Sequence, residues 1–462
     1  MSKDPVPHLL SRATDLLERQ FGALPAFEPA CESTAGPAAM EQILEDVAQR
    51  LEDNYPYFHP LYAGQMLKPP HPVARAAYAL AMTINPNNHA RDGGRASSEM
   101  EIEAVREIAG VFGWTEFLGH LTSGGTLANL EALWVAGQLA PGKRIAGSEQ
   151  AHYSHKRISA VLKLDYVGIP SDNRGRMNLE ALEDELRKGD VGTVVVTLGT
   201  TAMGAVDPLD KVLALRERYG FRVHVDAAYG GYFRLIPEVL DESARRAYAA
   251  AEAVDSIAID PHKHGLQPFG CGCVLFRDPA VGRFYKHDSP YTYFTSKQLH
   301  LGEISLECSR AGAAAVALWA TQRLLPLKPG GQFARGLARG RVAAVELDQR
   351  LRQDRRFQTL AAGAPELDIV VWKVNQETPR RASELARAIF DACATRDLHL
   401  ALVELPLTWF CPVAVSEPGS CTSNDAESVT CLRSVLMKPE HETWLDRIWE
   451  RLTASCAEVM GE

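Results

Sequence analysis

Four short stretches of the chain carry residue types that can do chemistry. Thr122-Ser-Gly-Gly-Thr126 lies between a strand-like run and a helical pattern beginning near Leu127. Glycines there let backbone approach an anion, the helix start offers free N–H groups, and the hydroxyls add donors. The stretch is neither G-x-G-x-x-G nor a Walker sequence, so it suits a single phosphate rather than a dinucleotide. His152, in Glu149-Gln-Ala-His-Tyr-Ser-His155, follows a short apolar run and is placed to stack on a flat ring or to cap a helix. Asp226 ends the apolar run Val223-His-Val-Asp226. A carboxylate behind a buried strand is costly unless paired, and a protonated heteroaromatic ring nitrogen would pair with it. Lys263 ends Ser256-Ile-Ala-Ile-Asp-Pro-His-Lys263, where partial burial makes an amine a usable Schiff-base nucleophile. Taken singly, each has a plain reading: helix entry, cap, turn acid or surface lysine. The order of phosphate loop, stacker, acid and amine along one sheet is the specific signal.

The elements that must position these residues alternate. Helical periodicity runs over Glu99–Phe112, Leu127–Leu139, Leu179–Lys188 and Asp210–Tyr219. Extended runs fall at Phe117–Leu121, Arg144–Gly147, the end of Val161–Ile169, Val191–Leu198, Phe221–Val225, Ser256–Ile259 and Cys273–Phe276. Such alternation predicts an α/β lobe with a mostly parallel sheet, which sets ligands at its strand ends. From about residue 311 the order becomes mixed. Helices are predicted at Ala311–Leu325, Phe333–Leu351 and Ala382–Thr395, strands at Leu367–Val374, Leu400–Leu405 and Ser428–Met437, and a final helix after them. A smaller α+β C-terminal domain is expected. The N-terminal stretch reads as an amphipathic helix with Leu9, Leu10, Ala13, Leu16, Leu17 and Phe21 on one stripe, then an extended arm from Gly22 to Ala39. The expected division is 1–54 (helix and arm), 55–310 (large domain) and 311–462 (small domain).

Bulk properties narrow the classes. A chain of 462 residues with 46% hydrophobic and 23% charged residues is of ordinary globular composition and long enough for two lobes. A formal charge of −9 argues against a nucleic-acid binder. No run approaches a membrane span, and the first residues lack a secretory pattern. Nine scattered cysteines, an odd number, fit a reducing cytoplasm better than a disulfide scaffold. A metal reading of Cys271 and Cys273 with His262 and His264 lacks the turn of a C-x-x-C knuckle, so no metal is expected.

These stretches resemble the group II amino-acid decarboxylases dependent on pyridoxal 5′-phosphate (PLP), the family of aromatic amino-acid, glutamate, histidine and diaminobutyrate decarboxylases. The matching segments are Ser123-Gly-Gly-Thr-Leu-Ala-Asn129, Gln150-Ala-His152, Thr197-Leu-Gly-Thr-Thr201, His224-Val-Asp-Ala-Ala-Tyr229 and Asp260-Pro-His-Lys263. Weaker likeness extends from Pro56-Tyr-Phe-His-Pro60 to Leu306-Glu-Cys-Ser-Arg310. The resemblance implies a fold type I (aspartate aminotransferase-like) large domain in a homodimer with active sites at the interface. It implies that Gly125, Thr126 and His262 hold the phosphate, with Ser309 reaching across from the other subunit. His152 would stack on the ring and contact the substrate carboxylate, Thr200 lie near the ring's phenolic oxygen or its edge, Asp226 pair with its nitrogen, Ala228 pack beneath it and Lys263 form the internal aldimine.

In the family a mobile loop supplies a tyrosine that protonates the carbanion. The corresponding stretch is Arg283–Gln298, with Tyr285, Tyr291 and Tyr293, and Tyr291 or Tyr293 is favoured. Phe294 there leaves the outcome open between amine and aldehyde, while His264 in place of the usual Trp and Asp260 where many animal members have Asn leave the substrate open more than the cofactor. By family placement, His59, Tyr62 and Ile84–Asn88 would line the substrate side, and an aromatic amino acid is favoured. The alternatives are another PLP reaction on the same fold (aldehyde synthase, carbon–carbon lyase or aminotransferase) and a catalytically silent relative.

Overall fold

The computed structural model describes residues 4–27, 30, 36–286, 300–361, 363–410 and 427–461. Two amphipathic helices open the chain, α1 (Val6–Phe21) and α2 (Pro37–Leu51), and neither has a fully buried residue. α1 rests on α3 (Pro72–Met82), where Arg75 pairs with Asp4 at 2.9 Å. The arm expected to stay extended to Ala39 ends earlier. Pro37 opens α2, because proline's fixed φ and missing N–H suit a first helical turn.

After α4 (Arg95–Val111) the strand–helix alternation begins with β1 (Leu118–Thr122), α5 (Gly125–Leu139) and β2 (Arg144–Ser148). It continues through α6 (Ser154–Val161), β3 (Tyr166–Ile169), α7 (Leu179–Leu186) and β4 (Val191–Thr197). Then come α8 (Leu209–Tyr219), β5 (Arg222–Asp226), α9 (Glu242–Ala250), β6 (Ser256–Ile259) and β7 (Gly272–Phe276). These strands form one seven-stranded sheet in the order β1-β7-β6-β5-β4-β2-β3. Only β7 runs against its neighbours; the other pairings are parallel. The mostly parallel sheet expected from the alternation is therefore observed. β4 is buried along nearly its whole length, which is why its sequence is β-branched at every position but Gly192. The carboxyl ends of β1, β2, β4, β5 and β6 share one edge, and the loops after them converge there.

Helices α10 (Gly312–Leu324) and α11 (Gln332–Gln353) lead into a second sheet. It comprises β8 (Phe357–Thr359), β9 (Ile369–Val374), β10 (Ala401–Pro406) and β11 (Ser428–Val435), antiparallel in the order β10-β11-β9-β8. α12 (Pro379–Ala394) and α13 (His441–Met460) cover it. α11 bridges the two lobes: Phe333 and Leu337 join the main core, and Leu347 and Leu351 join the core of the small sheet. Residues 61–63 also reach the small lobe, exchanging backbone hydrogen bonds with His399 and Val435. Among the described residues, no helix is long and apolar enough to cross a membrane.

Candidate active site

A cavity of about 340 Å³ opens at the carboxyl edge of the large sheet. Gly125, Thr126, His152, Asp226, Ala228, His262 and Lys263, drawn from four different loops, all line it. This convergence follows from topology, because each loop leaves a parallel strand at the same edge.

One end is built by the turn between β1 and α5. The helix starts at Gly125, so the N–H groups of Gly125 and Thr126 lack intrahelical acceptors, and both residues line the cavity. Backbone packs closely here: a Cβ on Gly125 would lie 2.7 Å from an Asp260 carboxylate oxygen, and one on Gly272 only 2.5 Å from the Gly124 carbonyl carbon. Ser123 N–H donates to the Glu307 carboxylate at 3.0 Å, which ties the 300–310 segment to the turn. His262 spends its Nδ1 on the Cys271 carbonyl at 2.9 Å, leaving Nε2 available. Burial holds its pKa below the ordinary histidine value.

The other end centres on Asp226, which is 5% exposed. Its Oδ2 accepts from His155 Nε2 at 2.7 Å and from Asn129 Nδ2 at 3.2 Å, and its Oδ1 accepts from Ala228 N–H at 3.1 Å. Burial alone would raise its pKa. The hydrogen bond and charge of His155, with Lys263 nearby, overcome that and hold the carboxyl well below the usual range. Asn129 is pinned in turn, since its Oδ1 faces His224 Nε2 at 2.8 Å and His224 Nδ1 meets Ser256 Oγ at 2.9 Å. Burial pushes His224 down to about 3, so it is neutral at physiological pH. His152 lies in the loop leading into α6, the helix that carries His155, and its Nδ1 is held by Ser154 Oγ at 2.7 Å.

Between these ends lies Lys263, whose Nζ sits 3.0 Å from Asp260 Oδ2. His262 Nε2 approaches the same oxygen at 3.5 Å. Asp260 Oδ1 is buried and has no hydrogen-bond partner.

Other sequence candidates lie elsewhere. Thr200 is buried with its Oγ1 accepting from Ala205 N–H at 3.0 Å, while its neighbours Gly199 and Thr201 line the cavity. Ser309 is exposed and takes a hydrogen bond from Asn87 at 3.1 Å within its own chain. Tyr285 is buried against Trp134, with ring centroids 5.0 Å apart. Tyr291 and Tyr293 lie outside the described residues. His59 packs edge-on against Trp444, Tyr62 is buried beside Tyr57, and Asn88 is committed to Glu101 and Ser97. None of the three lines this cavity within one chain. His264 is turned away from it, under Tyr229 and Phe233. Cys271 and Cys273 are buried, and burial pushes the thiol of Cys271 well above its ordinary pKa.

Sequence reasoning gave no site role to three residues, namely Asn129, His155 and Asp260. All stood inside the quoted motifs. His155 follows His152 by one helical turn, a spacing that could have flagged a second imidazole reaching the same acid.

Comparison with known proteins bears on the family and the fold. A family model described as the pyridoxal-dependent decarboxylase conserved domain matches residues 142–375. An L-tyrosine decarboxylase of Enterococcus faecium is 28% identical over 78% of this chain and 76% of its own length. A probable L-tyrosine/L-aspartate decarboxylase of Methanothermobacter thermautotrophicus (strain ATCC 29096 / DSM 1053 / JCM 10044 / NBRC 100330 / Delta H) is 29% identical over 65% of this chain and 82% of its own. Among solved structures, Oryza sativa TDC with PLP and tryptamine superposes with a TM-score of 0.76 at 18% identity, covering 100% of this chain and 99% of that one. That likeness speaks to the fold alone.

Proposed function

The chain belongs to the pyridoxal-dependent decarboxylase family, and from that premise we propose that it decarboxylates an L-amino acid with Lys263 holding the cofactor covalently, an aromatic substrate being favoured. It is a PLP-dependent carboxy-lyase, and pyridoxal 5′-phosphate is its cofactor. The observation that carries the finer reading is that Lys263, Asp226 and His152 line one cavity with the Gly125–Thr126 helix start.

The residues present fit the cofactor. The glycine turn leaves room for a phosphate against free N–H groups. Asp226 has roughly four lone-pair sites, and three are taken by protein donors, which leaves one for a ring N–H in the cavity. When bound, the pyridoxal group supplies an electron sink for the pair left on Cα as carbon dioxide departs. Asp226 keeps a proton on the ring nitrogen. Thr126 and Gly125 hold the phosphate, and His262 assists through Nε2, donating only when protonated. Ala228 would pack against the ring of the bound cofactor, with Thr200 behind the wall made by Gly199 and Thr201. His152 would stack on the bound cofactor and orient the substrate carboxylate, which would be catalysis by orientation. Tyr291 or Tyr293 delivers the proton to Cα from its phenol oxygen.

We assign an L-amino acid as substrate in a cytoplasmic homodimer in which Ser309 reaches the partner's cavity. The exposed apolar stripe Met40, Ile43, Leu44, Val47 and Leu51 on α2 supports association. The names of the two relatives support tyrosine first and aspartate second.

The test is carbon dioxide release from a panel of amino acids including tyrosine and aspartate, with added PLP, beside Lys263→Ala. The variant is expected to lose the visible cofactor band and about 10³-fold or more of turnover. Wild-type turnover in Lys263→Ala would overturn the assignment. Product analysis of Tyr291→Phe and Tyr293→Phe, with aldehyde expected from one of them, identifies the proton donor.

A further inference from the structure

Behind Asp226, on the side away from the cavity, stands a histidine that the reaction itself does not require. His155 is wholly buried in the first turn of α6, and its Nε2 makes the shortest contact to the Asp226 carboxylate, 2.7 Å. Its Nδ1 is also buried and has no hydrogen-bond partner, so its polar contact is directed at the acid. The second side-chain donor, Asn129, is longer at 3.2 Å and neutral. Its orientation is imposed from Ser256 through His224: neutral His224 accepts from Ser256 at Nδ1, donates from Nε2 to Asn129 Oδ1, and so turns the amide N–H toward Asp226. Among the side chains that hydrogen-bond to Asp226, His155 alone can also carry a compensating positive charge. A buried carboxylate needs that compensation to remain ionised.

We propose that His155 is a positioning residue that holds the Asp226 carboxylate ionised and oriented toward the cofactor's ring nitrogen. This rests on the reading of Asp226 as the partner of that nitrogen. The segment from β2 into α6 thereby serves both faces of the cofactor's surroundings: His152 lines the cavity, and three residues later His155 supports the acid from behind. An apolar side chain at 155 would leave Asp226 with two neutral donors and only Lys263 nearby to balance its charge.

The distinguishing probe is a PLP analogue in which carbon replaces the ring nitrogen, so that it offers Asp226 no N–H. Full-length apoprotein of wild type, His155→Phe and His155→Gln is titrated with PLP and with the analogue, followed by fluorescence quenching. The pH at which the visible band of bound PLP changes is recorded in parallel, with Lys263, Asp260, His152 and His224 as the other titratable groups around Asp226. His155→Phe is expected to weaken PLP about 10- to 100-fold, by loss of a hydrogen bond to a charged group. Binding of the analogue should stay within about twofold, and His155→Gln, which keeps an N–H donor, should recover part of the loss. The band transition should move in His155→Phe. Undiminished PLP binding in His155→Phe, or equal weakening of both ligands, would overturn the positioning role. If wild type binds both ligands equally, the Asp226 reading falls, and the inference falls with it.

Discussion

Two buried aspartates end neighbouring strands, and they are held in opposite ways. Asp226, after β5, is enclosed by three N–H donors on a chain of fixed hydrogen bonds reaching to Ser256. Asp260, after β6, faces two side chains that the chemistry would use, Lys263 at 3.0 Å and His262 at 3.5 Å, and its second oxygen has no partner. The difference separates two tasks. A carboxylate that serves one unchanging partner is locked, whereas one that guards a reactive amine must let that amine leave. Burial is nearly the same for both, so hydrogen-bond saturation rather than depth distinguishes them.

The largest effect is expected from the locked acid. Asp226→Asn should lower kcat/KM by about 3–5 kcal/mol, roughly 10²- to 10⁴-fold, because a buried charge pair loses one member. Steady-state kinetics checks this, and a loss under tenfold would erase the contrast. Asp260→Asn should cost less, about 1–2 kcal/mol in the rate of cofactor capture by apoprotein, since the amide oxygen can still accept from Lys263. Stopped-flow absorbance measures it, and a loss equal to that of Asp226→Asn would place both acids in one class.

The smallest effect concerns pH. His224 is depressed to about 3 when folded, against an ordinary value near 6.5. The unfolded chain therefore takes up a proton that the folded chain refuses. The stability contribution is complete above about pH 6.5 and is lost as pH falls toward 3. His224→Gln should flatten urea-derived stability between pH 6 and pH 5 by about 1 kcal/mol relative to wild type. An unchanged slope would mean that His224 does not anchor the donor chain.

Much of this arrangement was legible in the sequence, for a physical reason. Parallel strands buried on both faces write themselves as apolar runs, as in Val191–Leu198, and residues just beyond such runs must meet at one edge. Asp226 and Lys263 could therefore be paired from sequence order alone. What stayed hidden depends on side-chain direction. His155 and Asn129 lie on helices whose rotation about their axes decides whether they face the acid. The helix at Pro37–Leu51 was hidden by its proline-rich approach, which reads as an arm until Pro37 is recognised as a helix opening. The partners of His59, Tyr62 and Asn88, namely Trp444, Tyr57 and Glu101, come from packing that no local pattern records.

The antiparallel strand has a mechanical consequence. Lys263 sits on an excursion whose two ends, Ile259 and Cys273, are paired across β6 and β7. Such a loop behaves as a beam clamped at both supports, braced midway by His262 N–H on the Cys271 carbonyl and by Gln267 N–H on the Pro261 carbonyl. Its stiffness leaves the amine's travel to the four-carbon side chain. The close approach of Gly272 to Gly124 couples one support of the beam to the phosphate turn, so a methyl group at Gly272 would shift the anchor and the turn together.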